Sequence, residues 1–201
     1  MTPPVFSSKA CFEHLYHVIS DTRFLNREGL GNEIPFFVCP YPVEKTDDMA
    51  ADRLKLKTKL DRENIKVLDI CLYDLCLNLL EKRSLLQRLL SQETQLMKNE
   101  LRDLLKGVLD PQDYLAPAIS EIMAKNAHDV VFLSGIGALH PYVRAHTVLN
   151  NLHSRVRDCP LVLFFPGDYR HSEDHGASLN LYGTLPSDQY YRAFNILTYE
   201  V

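Results

Sequence analysis

The chain has 201 residues, of which 46% are hydrophobic and 24% are charged, and its formal net charge is -4 at pH 7. These values fit a globular domain and exclude a largely disordered chain. The acidic balance argues against a protein built mainly to hold nucleic-acid phosphates, which requires many lysine and arginine contacts. Because no run reaches the ~18 consecutive apolar residues of a membrane helix and the N-terminus lacks a signal-peptide pattern, we expect a cytoplasmic protein.

The first elements in chain order are a helix, a turn and a buried strand. Apolar residues at three-and-four spacing between Ser8 and Leu25 predict an amphipathic helix. The sequence GLGN at 29–32 is a turn signal, and the apolar run from Ile34 to Cys39 is followed by two prolines that we expect to end it. Since this run does not alternate with polar residues, it is typical of a strand that is covered on both faces.

Residues 44–62 predict a crossover helix that leads to a second strand from Ile65 to Cys71. Two strands joined by a helix of this length form a parallel βαβ unit. The basic segment from Arg53 to Arg62 is interpreted as the solvated face of this helix, with a docking patch for an acidic partner or for DNA as the alternatives. The leucines that we expect to turn inward are Leu54, Leu56 and Leu60.

Leucines recur with helical period from about residue 73 to residue 125. This stretch is too long for a simple crossover, so we predict a helical insertion between the second and third strands. Within it, Leu85, Leu89 and Leu101 are candidate contacts for a partner protein, because exposed apolar helix faces are a common docking surface. The alternative is that these leucines pack on one another.

The α/β pattern resumes with a strand from Asp129 to Ser134, a glycine turn, a helix from about Pro141 to Arg155, and a strand from Leu161 to Phe165. Segments 179–183 and 194–198 are expected to add edge strands. The predicted fold class is therefore α/β, with an open, mainly parallel sheet of four to six strands flanked by helices. We expect residues 1–201 to form a single domain.

Ligands of open parallel sheets bind beyond the carboxyl ends of the strands. The residues at those positions that form a candidate ligand site are Asp69, Asp74, Ser134 and Asp168. Two carboxylates there could hold a magnesium ion. The chain has no P-loop, G-x-S-x-G or H-E-x-x-H motif, so we predict a protein without catalysis or cofactor. A degenerate nucleotide-binding or metal-dependent hydrolytic domain is the alternative.

Three further clusters have two readings each. The turn from Ser134 to Gly137 either presents amides to an anion or packs a strand tightly against a helix. The segment from His171 to His175 has the composition of a metal site but is expected to be a solvated loop. Tyr190, Tyr191 and Arg192 combine residue types found at binding hot spots, and the same set would also close a core through a cation–π contact.

The five cysteines, at positions 11, 39, 71, 76 and 159, are scattered among apolar neighbours. An odd number without regular spacing does not predict a disulfide framework. The pair Cys71 and Cys76 is interpreted as two buried thiols, since free cysteine behaves as a small hydrophobe.

Six motifs along the chain are distinctive: GLGNEIPF at 29–36, LDICLYDL at 68–75, LSGIG at 133–137, RAHTVLNNL at 144–152, LVLFFPGDY at 161–169 and YYRAF at 190–194. Together they resemble the BrxB family of bacteriophage exclusion (BREX) systems. The resemblance implies a cytoplasmic accessory component and a P-loop-like strand order in which the phosphate loop is missing. It implies no catalytic residues, and it makes the alkaline-phosphatase-like protein PglZ the expected partner, with the large ATPase and the methyltransferase as other candidates.

Overall fold

The computed structural model describes residues 8–28, 35–93, 95–172, 176–183 and 193–200. The strands are β1 (Phe36–Tyr41), β2 (Val67–Cys71), β3 (Val130–Ser134), β4 (Leu161–Ser172), β5 (Gly176–Leu181) and β6 (Phe194–Asn195). The α-helices are α1 (Ser8–Ser20), α2 (Thr22–Leu25), α3 (Thr46–Arg62), α4 (Leu72–Lys82), α5 (Leu86–Gln92), α6 (Lys98–Val108), α7 (Ala116–Lys125) and α8 (Ala145–Leu152).

The strands form a six-stranded sheet in the order β2-β3-β4-β1-β6, with β5 paired to β4 outside this path. All pairings along the path are parallel, whereas β5 runs antiparallel to β4. The predicted α/β class is confirmed. The first strand lies inside the sheet and the second at its edge, which agrees with the P-loop-like order that the resemblance implied. The chain leaves β1 towards one edge and leaves β4 towards the other, so the strand order reverses between these two neighbours.

The sheet separates two apolar cores. Along β1, Phe37 and Cys39 face α1 and α3, while Phe36 and Val38 face the opposite side. Each of these four side chains is fully buried. A strand that is covered on both faces needs apolar residues at successive positions, which explains why the hydrophobicity of this segment does not alternate.

In the described part of the chain, four α-helices lie between β2 and β3, as predicted for the insertion. The guanidinium of Arg83, just after α4, donates a hydrogen bond to the carbonyl of Val108 at 2.6 Å. The same guanidinium lies over the ring of Tyr114 at 3.9 Å from its centroid. These contacts join the two ends of the α5–α6 segment to the rest of the insertion.

Several predicted strand ends were wrong. The edge strand predicted at 194–198 ends at Asn195, where a 3-10 turn follows. β1 continues through Pro40 to Tyr41, because Pro40 pairs with Phe165 of β4 and a parallel neighbour needs no N–H from every residue. β4 extends to Ser172 instead of ending at Phe165, because its second half forms a hairpin with β5. At Gly167, where the partner changes, a Cβ atom would clash with the carbonyl oxygen of Asn180.

The prediction for α3 was right for two leucines and wrong for the third. Leu56 and Leu60 are fully buried, whereas Leu54 is 54% exposed. Residues four apart share one face of a helix, and a residue two positions away lies almost opposite. No helix in the described part of the chain is long and apolar enough to cross a membrane.

Candidate functional site

A cavity of about 380 Å³ opens where β1, β2 and β3 end and where the parallel part of β4 ends. It lies where the strand order reverses, which is the usual ligand position in open α/β sheets. The lining residues are Tyr41, Thr46, Met49, Ala50, Arg53, Cys71, Ser134, Gly135, Gly137, Ala138, Phe164, Pro166 and Tyr182. We call this space the strand-end cavity.

One face of α3 supplies a wall of the strand-end cavity. A short turn after β1 starts the helix, and Thr46, Met49, Ala50 and Arg53 follow at three-and-four spacing. Residues with this spacing lie above one another on a helix. The sequence immediately after the first strand therefore places a hydroxyl, two apolar groups and one cation along the same wall.

Arg53 forms an ion pair with Asp69, which lies in the middle of β2. The two side chains are 13% and 14% exposed. Burial raises the pKa of Asp69 above its usual value, although the positive charge of Arg53 acts in the opposite direction. Its second carboxylate oxygen, Oδ1, is buried without a hydrogen-bond partner. The pair is therefore incompletely compensated for the loss of water.

Hydroxyl groups supply most of the other polar atoms of the strand-end cavity. The Thr46 hydroxyl donates to the carbonyl of Val43 at 2.6 Å, and the Tyr182 hydroxyl donates to the carbonyl of Gly137 at 2.7 Å. Burial raises the pKa of Tyr41 to about 12, so this phenol is neutral at physiological pH. The arrangement can bind and orient a small molecule through hydrogen bonds.

The four residues predicted for a strand-end site do not all come together. Ser134 lines the strand-end cavity, whereas Asp69 does not line it and is paired with Arg53, which does. Asp74, in the first turn of α4, is exposed and does not line the cavity. Asp168 is 54% exposed on β4, with Arg170 at 3.8 Å. No group of three potential metal ligands occurs among the described residues.

The glycine turn after β3 is tightly packed. Gly135 has a φ of +76°, and a Cβ atom there would approach the Cys71 sulfur at 2.9 Å. A Cβ atom at Gly137 would lie 2.6 Å from Pro166. These contacts favour the packing interpretation of the turn, and the turn also lines the strand-end cavity.

Sequence reasoning missed Arg53, which it assigned to a solvated helix face. The rest of that basic segment is largely paired: Lys55 with Asp52, Lys57 with Asp61, and Lys59 over the ring of Tyr16 at 3.2 Å. Because carboxylates and an aromatic ring already occupy these cations, little free positive charge is left for DNA phosphates. The signal for Arg53 was its position seven residues after Thr46, on the face of α3 that meets the strand ends.

The insertion presents a second candidate surface between α5 and α6. Leu85 and Leu89 line an open cavity of about 210 Å³ together with Leu104. Leu89 and Leu101 line a second cavity of about 200 Å³ that reaches Tyr142. The three leucines predicted for partner binding thus border these two cavities, although Leu89 itself is buried.

The outermost apolar residues of this region were not predicted. Leu90 is 54% exposed, Met97 67% and Leu104 39%. We call these three residues and the two cavities the insertion face. Helix α6 has no buried residue, so its apolar side is only partly covered by the rest of the protein.

Other predicted clusters are only partly described. Tyr190, Tyr191 and Arg192 lie outside the described residues, as does the centre of the segment from His171 to His175. The backbone at 171–172 belongs to the end of β4, so this part was wrongly predicted to be a loop. Cys71 and Cys76 are free thiols, and Cys76 is buried as predicted, whereas the same prediction was wrong for Cys71, which is only partly buried at the end of β2.

Together, the parallel sheet, the strand-end cavity and the helical insertion define an α/β protein with a P-loop-like strand order. The family model for BREX protein BrxB matches residues 68–196. A BREX protein BrxB from Bacillus cereus (strain H3081.97) is 33% identical over 184 residues, which cover 89% of this chain and 92% of that protein. A BREX protein BrxB from Escherichia coli O9:H4 (strain HS) is 30% identical over 179 residues, covering 89% and 86%.

No solved structure matches the chain. The extent and identity of the two relatives, and a family match over more than half of the chain, show that the protein belongs to the BrxB family. It is an accessory component of BREX anti-phage defence.

Proposed function

We propose that the protein is a non-catalytic adaptor of the BREX system that binds PglZ, the alkaline-phosphatase-like component, through the insertion face. The observation that supports this proposal is the set of large apolar side chains that the insertion leaves exposed around two open cavities. Family membership supports an accessory role, and the multi-component nature of BREX supports a protein partner.

The energetics favour a partner on this surface. Complete burial of a fully exposed leucine or methionine side chain contributes about 1.5–3 kcal/mol, and a partly exposed side chain contributes a corresponding fraction. Leu90, Met97 and Leu104 are each more than one third exposed. A partner that placed apolar side chains in the two cavities would also supply the contacts that the walls of an empty cavity lack. A few such anchors carry most of the affinity of a typical interface.

Tyr190, Tyr191 and Arg192 stay predicted partner contacts. Tyrosine and arginine are enriched at binding hot spots because they combine a large contact area with polar groups. Their contribution is tested separately, by the substitutions Tyr191→Ala and Arg192→Ala. If either residue contacts PglZ, its removal weakens the complex without changing the free energy of unfolding of the free protein.

The principal experiment is size-exclusion chromatography with light scattering on the protein mixed with PglZ from the same genome. We expect a joint peak for the natural sequence and its loss for the double variant Leu90→Glu, Leu104→Glu, because two carboxylates would be buried at the interface. The matched control is the double variant Gln87→Glu, Asn99→Asp, which adds the same two charges at exposed positions of α5 and α6 that line neither cavity.

Each outcome decides part of the proposal. Circular dichroism on the double variant establishes that the helices are retained. A joint peak that persists in the folded double variant would exclude the insertion face as the docking surface. Separate peaks for the natural sequence would reject PglZ as the direct partner, and the large ATPase and the methyltransferase would then be tested in the same assay.

A further inference from the structure

The strand-end cavity has the size and position of a small-molecule site. Its volume of about 380 Å³ lies within the usual range of ~300–1,000 Å³ for ligand pockets. It is formed by the carboxyl ends of β1 to β4 and by one face of α3, all of which belong to the folded core. The insertion face is a separate surface, so the following inference does not depend on the adaptor function.

The charge of the residues that line the cavity predicts the charge of its ligand. Arg53 is the one charged side chain among the described residues that line the strand-end cavity. Its carboxylate partner Asp69 lies behind it and does not line the space. A guanidinium has five N–H donors, so pairing through one nitrogen leaves donors for a second acceptor. An anionic group in the cavity would therefore meet an arginine and no opposing carboxylate.

The neutral lining selects the rest of the ligand. Ala50, Ala138 and the ring of Tyr182 supply exposed apolar surface, while Ser134 adds a hydroxyl at the carboxyl end of β3. The Ser134 side chain makes no hydrogen bond to another described residue, and so its hydroxyl is available. An apolar or aromatic part of the ligand would contact the apolar lining, and a polar substituent would reach the Ser134 hydroxyl.

We propose that the strand-end cavity binds a small organic anion, in which one carboxylate or phosphate group pairs with Arg53 and an apolar body packs against Ala138 and the ring of Tyr182. Among the described residues that line it, Arg53 is the one cation and there is no lysine. A nucleoside triphosphate with magnesium instead requires a glycine-rich loop, a lysine and a metal-binding hydroxyl. The geometry thus matches a ligand with one anionic group.

The test uses isothermal titration of the full chain with two anions, benzoate and adenosine monophosphate. Their uncharged counterparts, benzamide and adenosine, show whether the anionic group matters. We expect saturable binding of at least one anion at millimolar concentration or below, and binding of its uncharged counterpart that is at least about tenfold weaker. The anion that binds also distinguishes a carboxylate from a phosphate ligand.

Two variants locate the binding. Ala50→Phe fills the strand-end cavity from the exposed surface of α3, and Ala51→Phe is its matched control because Ala51 does not line the cavity. We expect Ala50→Phe to weaken binding by at least about tenfold and Ala51→Phe to leave it unchanged. The double variant Arg53→Met, Asp69→Leu removes the cation together with its partner charge and should abolish the preference for anions.

The proposal is overturned by any of four results. The first is that neither anion binds saturably, and the second is that the uncharged counterpart binds as tightly as the anion. The third is that Ala50→Phe binds the anion as tightly as Ala51→Phe. The fourth is that magnesium ATP binds more tightly than adenosine monophosphate, which would contradict a site for a single anionic group. None of these results bears on the complex with PglZ.

Discussion

Substitutions at the ion pair between Arg53 and Asp69 test how much this buried pair contributes to the free energy of unfolding. Both side chains are about seven-eighths buried, and Asp69 Oδ1 has no hydrogen-bond partner. Removing one member of a buried pair costs about 3–5 kcal/mol because the other charge stays buried without compensation. We expect Arg53→Met to lower the free energy of unfolding by about 3 kcal/mol, the low end of that range, because both groups keep some access to water.

The relative stabilities of the variants at this ion pair follow from the pKa of Asp69. Burial opposes the charged carboxylate more strongly than Arg53 stabilises it, so the pKa is raised. Asp69→Asn removes this buried charge and leaves Arg53 able to reach the strand-end cavity, so its cost should be smaller, about 1–2 kcal/mol. The double variant Arg53→Met, Asp69→Leu should be at least as stable as the natural sequence, since an apolar replacement of a buried pair is often neutral or stabilising.

The pH dependence has a definite sign. An acid whose folded pKa is raised makes the fold lose stability as pH rises from the unfolded value of about 3.8 through the folded value. Asp69→Asn should remove this loss. The destabilisation caused by Arg53→Met should shrink as the pH falls towards 3.8, because the carboxyl group that it leaves unpaired becomes protonated.

Urea unfolding followed by circular dichroism measures these differences. A change of about 3 kcal/mol corresponds to a shift in Tm of about 6–12 °C for a chain of this size. The reasoning is refuted if Arg53→Met is as stable as the natural sequence at pH 7, or if the double variant is less stable than both single variants.

Three further predictions concern packing. Gly167→Ala should lower the free energy of unfolding by about 1–3 kcal/mol in urea titration, because its Cβ would clash with the β5 backbone; an unchanged midpoint would contradict the close approach of the two strands. Leu56→Ala should lower the free energy of unfolding by about 2–5 kcal/mol, because Leu56 is fully buried. Leu54→Ala should lower it by about 0.5 kcal/mol or less, because Leu54 is 54% exposed. Equal losses would contradict the assignment of the buried face of α3. All five thiols should react with Ellman's reagent in urea, whereas the four buried thiols should react only slowly in the native protein, because they are shielded from the reagent and burial raises the pKa of Cys76 to about 12 and that of Cys159 to about 11; rapid native reaction of several thiols would contradict the buried placement.

Local patterns were sufficient for much of the fold. The non-alternating apolar run of β1 predicted a strand covered on both faces, and Phe36 to Cys39 are indeed fully buried. The helical spacing of Leu56 and Leu60 predicted two core positions of α3, and the long leucine-rich stretch predicted the insertion. Such patterns are informative because burial of one helix face or of both sheet faces repeats along the chain with a fixed period.

Boundaries and pairings needed the tertiary structure. Pro40 and Gly167 are strand breakers in isolation, yet both lie within strands because neighbouring strands accept them. The helical pattern also did not distinguish the leucines that complete the core from those that are left outside. Leu89 is buried, whereas Leu90, one position later, is 54% exposed.

The sequence by itself determined that this is an α/β protein with free thiols, no P-loop and a helical insertion, and its motifs were enough to assign the BrxB family. Only the tertiary structure decided which polar residues meet at the strand ends. It brought Arg53 of α3 to Asp69 of β2 and to the strand-end cavity, and it left Asp74 and Asp168 exposed on the surface. The physical reason is that helical and strand periods are local properties, whereas the position of a side chain at the end of a sheet depends on strand order and on the packing of a crossover helix across it.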